Sequence, residues 1–260
     1  MRTVGDSEPA ALAVIDNIRR EKINRMSDQS SGKNQVLRAH KLVKEVSSPE
    51  GSLTILSDVS FGISAGESVA VVGPSGAGKS TLLALLAGLD LPTSGHVMLI
   101  NANLSDLDED GRARVRADNV GFVFQSFHLM PSLNALENVM LPLELGGHAQ
   151  ARQLAREIIE KVGLQERWSH YPSQLSGGEK QRVAIARAFA AEPTVLFADE
   201  PTGNLDSRTG ARIMDLMFEL NHSSSTTLVL VTHERSLAKR CDRIISLDVG
   251  KLVGDTGVTG

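Results

Sequence analysis

The stretch "GPSGAGKST" at residues 73–81 constrains this chain more than any other. Gly73, four residues, then Gly78, Lys79 and Ser80 have the spacing of a phosphate-binding loop. Glycines let backbone N–H groups point inward at phosphate oxygens, and the helix that begins there adds the positive end of its dipole. Gly73, Pro74, Ser75, Gly76, Ala77, Gly78, Lys79, Ser80 and Thr81 are therefore expected to hold the phosphates of a nucleotide. Lys79 is expected to reach the β and γ phosphates, and the Ser80 hydroxyl to coordinate Mg²⁺. A glycine turn that merely opens a helix is the plainer alternative. The setting opposes it: "SVAVVG" before the loop reads as a buried strand and "KSTLLALLAGLD" after it as an apolar helix.

The rest of the chain fits an alternating pattern. "VLRAHKLVKEV" and "LTILSDVSFGIS" show strand-like alternation, and "HVMLINA" and "VGFVFQ" read as short strands. "TVLFADE" and "TTLVLVTH" are buried strands separated by a helix near 207–221, and "RIISLDVGKLVGD" is a closing hairpin turning at Gly250. Strands alternating with helices predict a parallel α/β sheet. Residues 126–190, mostly helical, read as an insertion in it. Residues 1–33 are polar and end in a linker-like "SDQSSGKN". Val14, Ile15, Ile18, Ile23 and Met26 roughly share one helical face there, so that segment is expected to be disordered or a short helix.

Composition excludes several functions. Aromatic residues are 3% of the 260, so the core must be aliphatic and stacking on nucleic-acid bases is not expected. The net charge of −4 also argues against a nucleic-acid groove. A single cysteine, Cys241, excludes an internal disulfide. The apolar stretch "AALAV" is too short for a secretory signal and follows Asp6 and Glu8. No apolar run approaches bilayer length, so the expectation is a protein at most peripheral to a membrane.

Four further residues sit at three expected strand ends, where ligands of open α/β sheets bind. Asp199 and Glu200 close "VLFADE": Asp199 to hold Mg²⁺, Glu200 to activate a water against the γ-phosphate. His233 closes "TTLVLVTH" and is either a surface residue or a γ-phosphate contact. Gln125 closes "VGFVFQ" and either starts a loop or places its amide oxygen at Mg²⁺ and the attacking water. Spacing alone leaves both open.

A second glycine stretch, "LSGGEKQR" at 175–182, needs its own account. Ser176 and Glu179 form a capping box, but the box does not explain Gly177 and Gly178, which are poor helix formers. Glycines there expose N–H groups, and a helix start with a free serine hydroxyl is an anion site.

Taken together, the phosphate loop, "LSGGEKQR", "LFADEP", "GNLD" and the strand-terminal histidine resemble the ATPase domain of ABC transporters over about residues 35–250. That resemblance implies an ABC-type P-loop NTPase over 34–257. Its mostly parallel core sheet would be joined by an antiparallel β subdomain and an α-helical subdomain at about 126–190. It also implies why there are two glycine stretches. Two copies sandwich two ATPs, each between Lys79 of one chain and Ser176, Gly177 and Gly178 of the other, with Asp206 of "GNLD" crossing the interface. Gln125 matches the Q-loop and His233 the switch histidine.

"GLDLPTSG", "GFVFQSFHLMPSLNALENVMLPLEL" and "FADEPTGNLD" resemble one branch, the lipoprotein-releasing and macrolide-exporting ATPases. The resemblance implies a homodimer on the cytoplasmic face of the inner (plasma) membrane. Its partner would be a permease of four transmembrane helices with a large extracytoplasmic domain. The apolar residues Phe127, Leu129, Met130 and Pro131 are either core or a groove for a permease helix. An ATPase of a membrane regulatory complex without cargo is the alternative. One departure stands out: Val46 occupies a position where the family commonly has a tyrosine that stacks on adenine.

Overall fold

Alternating apolar residues in Gln35–Ser48 (β1) and Gly51–Ser64 (β2) produce a long antiparallel pair, with Ala39 opposite Phe61 and Val46 opposite Leu53. Ser94–Leu99 (β4) adds to the other edge of β1, and Ala102–Asn103 (β5) completes a sheet of order β2-β1-β4-β5. The computed structural model describes residues 35–48 and 51–256, all within the unit Asn34–Gly260. The helical face expected over Val14–Met26 lies outside the described residues.

The second sheet is built from the continuous apolar runs. Ser68–Val72 (β3), Val120–Phe124 (β6), Val195–Asp199 (β7), Thr227–Val231 (β8), Arg243–Asp248 (β9) and Lys251–Asp255 (β10) take the order β10-β9-β3-β8-β7-β6. All neighbours are parallel except the terminal pair β9–β10. Every residue of β8 is buried, as a parallel strand covered on both faces requires. The parallel order brings the carboxyl ends of β3, β6, β7 and β8 to one edge.

Lys79–Leu86 (α1) follows β3 directly. Glu109–Asn119 (α2) buries none of its residues and was not foreseen from the sequence. Between β6 and β7 stand Ala135–Leu145 (α3), Ala151–Lys161 (α4) and Gly177–Ala190 (α5), and Ser207–Ser224 (α6) and Arg235–Ala238 (α7) follow. Helix α5 has two apolar faces. Val183, Ala186 and Ala190 join Leu136, Val139 and Ile159 in a core among the helices. Ile185, Ala188 and Phe189 join Val123, Leu196 and Leu230 in the core on the sheet. A helix buried on two sides is a rigid bridge between both packing units.

Candidate active site

Residues 73–78 leave β3 between two other strands, and that path dictates where glycine stands. A Cβ on Gly73 would lie 2.3 Å from the carbonyl oxygen of Leu247 in β9, and one on Gly78 2.8 Å from Leu56 Cδ2 in β2. Gly76, at φ 79°, meets nothing within 4 Å and faces open space. Lys79 is only 8% exposed. Its Nζ donates to the carbonyls of Gly73 and Pro74, both at 3.0 Å, so the ammonium sits inside the curl of the loop.

The adjoining strand ends supply the other groups. The Ser80 hydroxyl is close enough to the Asp199 carboxylate at the end of β7 to favour its charged form. Burial raises the Asp199 pKa above its ordinary value, and the neighbouring Glu200 charge raises it further against Ser80 and Lys79. Glu200 turns sharply at φ 44°, and its N–H donates to Val231 of β8 at 3.0 Å. Left-handed backbone at a non-glycine residue is costly and is found where geometry matters. The turn sets Glu200 Oε1 3.3 Å from His233 Nδ1. Gln125, just past β6, donates its amide to Asn204 Oδ1 at 3.3 Å, while Asn204 Nδ2 donates to the Gln125 carbonyl at 3.0 Å. Asn204 was missed in the sequence because nothing in "GNLD" marks a partner 79 positions upstream.

The second glycine stretch caps α5 as expected. Glu179 N–H donates to Ser176 Oγ at 3.3 Å, and Ser176 N–H donates to Glu179 Oε2 at 2.9 Å. The serine hydroxyl is not free, a correction to the sequence reading: it donates to Glu179 Oε2 at 2.8 Å. The backbone N–H of Ser176, then its hydroxyl, then Arg167 hold the Glu179 carboxyl down at about 2. The glycines have a packing reason the sequence does not disclose. A Cβ on Gly178 would lie 2.7 Å from Thr209 Cγ2, and one on Gly177 3.2 Å from Leu205 Cδ2. Asp206 caps α6, accepting from the N–H groups of Arg208 at 3.1 Å and Thr209 at 3.0 Å.

This donor set suits a nucleotide's phosphate chain and its Mg²⁺. The loop glycines and the buried Lys79 could hold phosphate oxygens. The Ser80–Asp199 pair, one hard oxygen beside a carboxylate that burial disfavours, could hold the cation, with Gln125 a third oxygen. Residues 56–203 match the family described as ABC transporter. The chain is 54% identical over 219 residues to the uncharacterized ABC transporter ATP-binding protein YbbA of Escherichia coli (strain K12), spanning 84% of this chain and 96% of that protein.

This chain belongs to the ABC transporter family.

It is 48% identical over 219 residues to the lipoprotein-releasing system ATP-binding protein LolD of Legionella pneumophila (strain Lens), again 84% of this chain and 96% of that one. Among solved structures it resembles a dimeric post-hydrolysis state of the ATP-binding cassette MJ0796 bound to ADP and Pi. That match has a TM-score of 0.79 and 42% identity, covering 86% of this chain and 99% of the other. The ABC fold expected from the motifs is the fold observed, and the protein is an ABC ATPase. Among the described residues, no helix is long and apolar enough to cross a membrane.

Proposed function

We propose that this ABC ATPase works as a homodimer on the cytoplasmic face of the membrane and powers a separate permease that exports or extracts an amphiphile. The observation that carries the chemistry is the convergence of Lys79, the Ser80–Asp199 pair and the Glu200–His233 pair at one edge of the parallel sheet. The dimeric assembly of MJ0796 supports the homodimer, and LolD's name as part of a lipoprotein-releasing system supports the export class.

Lys79 neutralises phosphate charge at the loop, and Ser80, Asp199 and Gln125 hold Mg²⁺, which when bound withdraws charge from the phosphoryl oxygens. Glu200 accepts the proton of the attacking water. His233, within 3.3 Å of Glu200, fixes the carboxylate's orientation and is assigned the γ-phosphate contact. The second copy closes the site with the start of its α5. There the N–H groups of Gly177 and Gly178 are orphan donors by helix geometry, and Ser176 is steadied by Glu179.

The decisive variant is Glu200→Gln. It is expected to bind ATP, to lower kcat by about a hundredfold or more, and to accumulate an ATP-dependent dimer on size exclusion. Wild-type turnover in this variant removes Glu200 from its role. Reconstituted in vesicles with a four-helix permease, the wild-type protein is expected to move an amphiphile only with ATP. ATP turnover without any cargo movement would favour a regulatory complex.

A further inference from the structure

The segment between Gln125 and α3 has no regular structure, yet it is held tightly from two helices. Asn138 of α3, fully buried, accepts from Met130 N–H at 2.8 Å and donates to the carbonyls of Met130, Leu133 and Asn134. Arg187 of α5 donates from Nη1 to the His128 carbonyl at 2.6 Å and from Nη2 to the Phe127 carbonyl at 3.1 Å. Phe127 and His128 are consecutive left-handed residues, φ 59° and 47°. That strained pair turns two successive carbonyls toward one guanidinium. The His128 ring stacks on Phe124 at the end of β6, centroids 4.7 Å apart. The Phe127 ring reaches to 3.9 Å of the Cβ position of Gly177.

Arg187 is costly where it stands. Burial works against its charge and lowers its pKa, and among the described residues no carboxylate pairs with it. A half-buried cation satisfied only by backbone carbonyls contributes less to stability than one paired with a carboxylate. Its planar fork, though, matches two adjacent carbonyls in a way a lysine point charge does not. The helix that carries it is the one that begins at Ser176.

We infer that Arg187 is a positioning residue for ATP turnover: by fixing Phe127 and His128 to α5, it makes the exit of Gln125 and the start at Ser176 move as one body. The pin itself stands on geometry. Its consequence rests on the reading that Gln125 and Ser176 serve nucleotide turnover in opposite halves of a shared site. Gln125 is tied at its other side to Asn204, so only Ser126 separates the residue held there from the pair held to α5.

The test compares the wild-type chain with Arg187→Gln and Arg187→Lys, by amide hydrogen exchange and by kcat and KM for MgATP. In Arg187→Gln, exchange across 126–130 is expected to rise about tenfold, with the phosphate loop unchanged. KM should stay within about threefold while kcat falls about tenfold, the pattern of a displaced catalytic group. Arg187→Lys should recover part of both, and it carries the same test if the glutamine variant does not fold. Unchanged exchange in both variants overturns the pin. Faster exchange with wild-type kcat per folded molecule overturns the positioning role while leaving the ATPase reading intact. A wild-type chain without ATP turnover overturns both.

Discussion

Asp199 is placed where its own charge is disfavoured. Burial is the largest influence on it and raises its pKa, and the Ser80 hydroxyl and Lys79 compensate only in part. A carboxyl whose folded pKa lies above its unfolded one loses stability as pH rises through the ordinary value of 3.8 toward the folded value. At neutral pH the ionised Asp199 is therefore a net cost to the protein without ligand, and a bound cation relieves it. Asp199→Asn is expected to raise Tm in nucleotide-free protein at pH 7. The gain should fade as pH falls through the raised folded pKa toward the ordinary 3.8, where Asp199 itself becomes protonated. The same variant should lose Mg²⁺-dependent turnover. A lower Tm at pH 7, measured by scanning calorimetry, would show that the favourable Ser80 and Lys79 interactions outweigh the burial.

At the scale of elements, the contact between the starts of α5 and α6 decides what Gly178 can become. Alanine is ordinarily better than glycine in a helix by roughly 0.5–1 kcal/mol. Here the added Cβ lands 2.7 Å from Thr209 Cγ2, on a β-branched side chain that helices hold in few rotamers. Overpacking of that kind costs about 1–3 kcal/mol, so the clash outweighs the propensity and Gly178→Ala should destabilise. In a Thr209→Ser background, which removes Cγ2, the sign should reverse to neutral or stabilising. Urea unfolding of the four proteins in the cycle measures this, and equal effects in both backgrounds would clear Thr209. None of this was legible in "LSGGEKQR", where the capping box was. The same division runs through the whole chain. The strands β7 and β8 announced themselves because parallel strands covered on both faces must be continuously apolar. The glycine turn between β3 and α1 did so because its glycine spacing is local to one short stretch. Helix α2 did not: "EDGRARVRADN" buries nothing, and what stabilises it is the Asp108 cap and the pairing of Arg112 and Arg116 with Glu109. No apolar stripe betrays such a helix. Asn204 beside Gln125 and Arg187 beneath Phe127 were equally hidden, because each contact joins residues that only the fold brings together.

For the whole molecule, the question is which phosphate loop the second glycine stretch serves. Within one chain, the nearest groups to Gly177 and Gly178 are Leu205, Phe127 and Thr209; none within 4 Å belongs to residues 73–81. A two-fold dimer with self-complementary faces would resolve this by giving each loop the partner's α5, and it makes a sharp claim about mixtures. Lys79→Ala disables the loop half of both sites in its own dimer, and Ser176→Arg disables the glycine half of both. Either dimer alone should be near background. A mixed dimer, isolated through two different affinity tags, regains one site in which both halves are wild type, while its other site carries both lesions. If the sites are shared, that heterodimer should recover about half of the wild-type turnover, one site of two. If each chain completes its own site, both sites of the mixed dimer carry a lesion and turnover stays at background. A recovered rate that survives dilution only as long as the heterodimer itself persists would tie the activity to the interface.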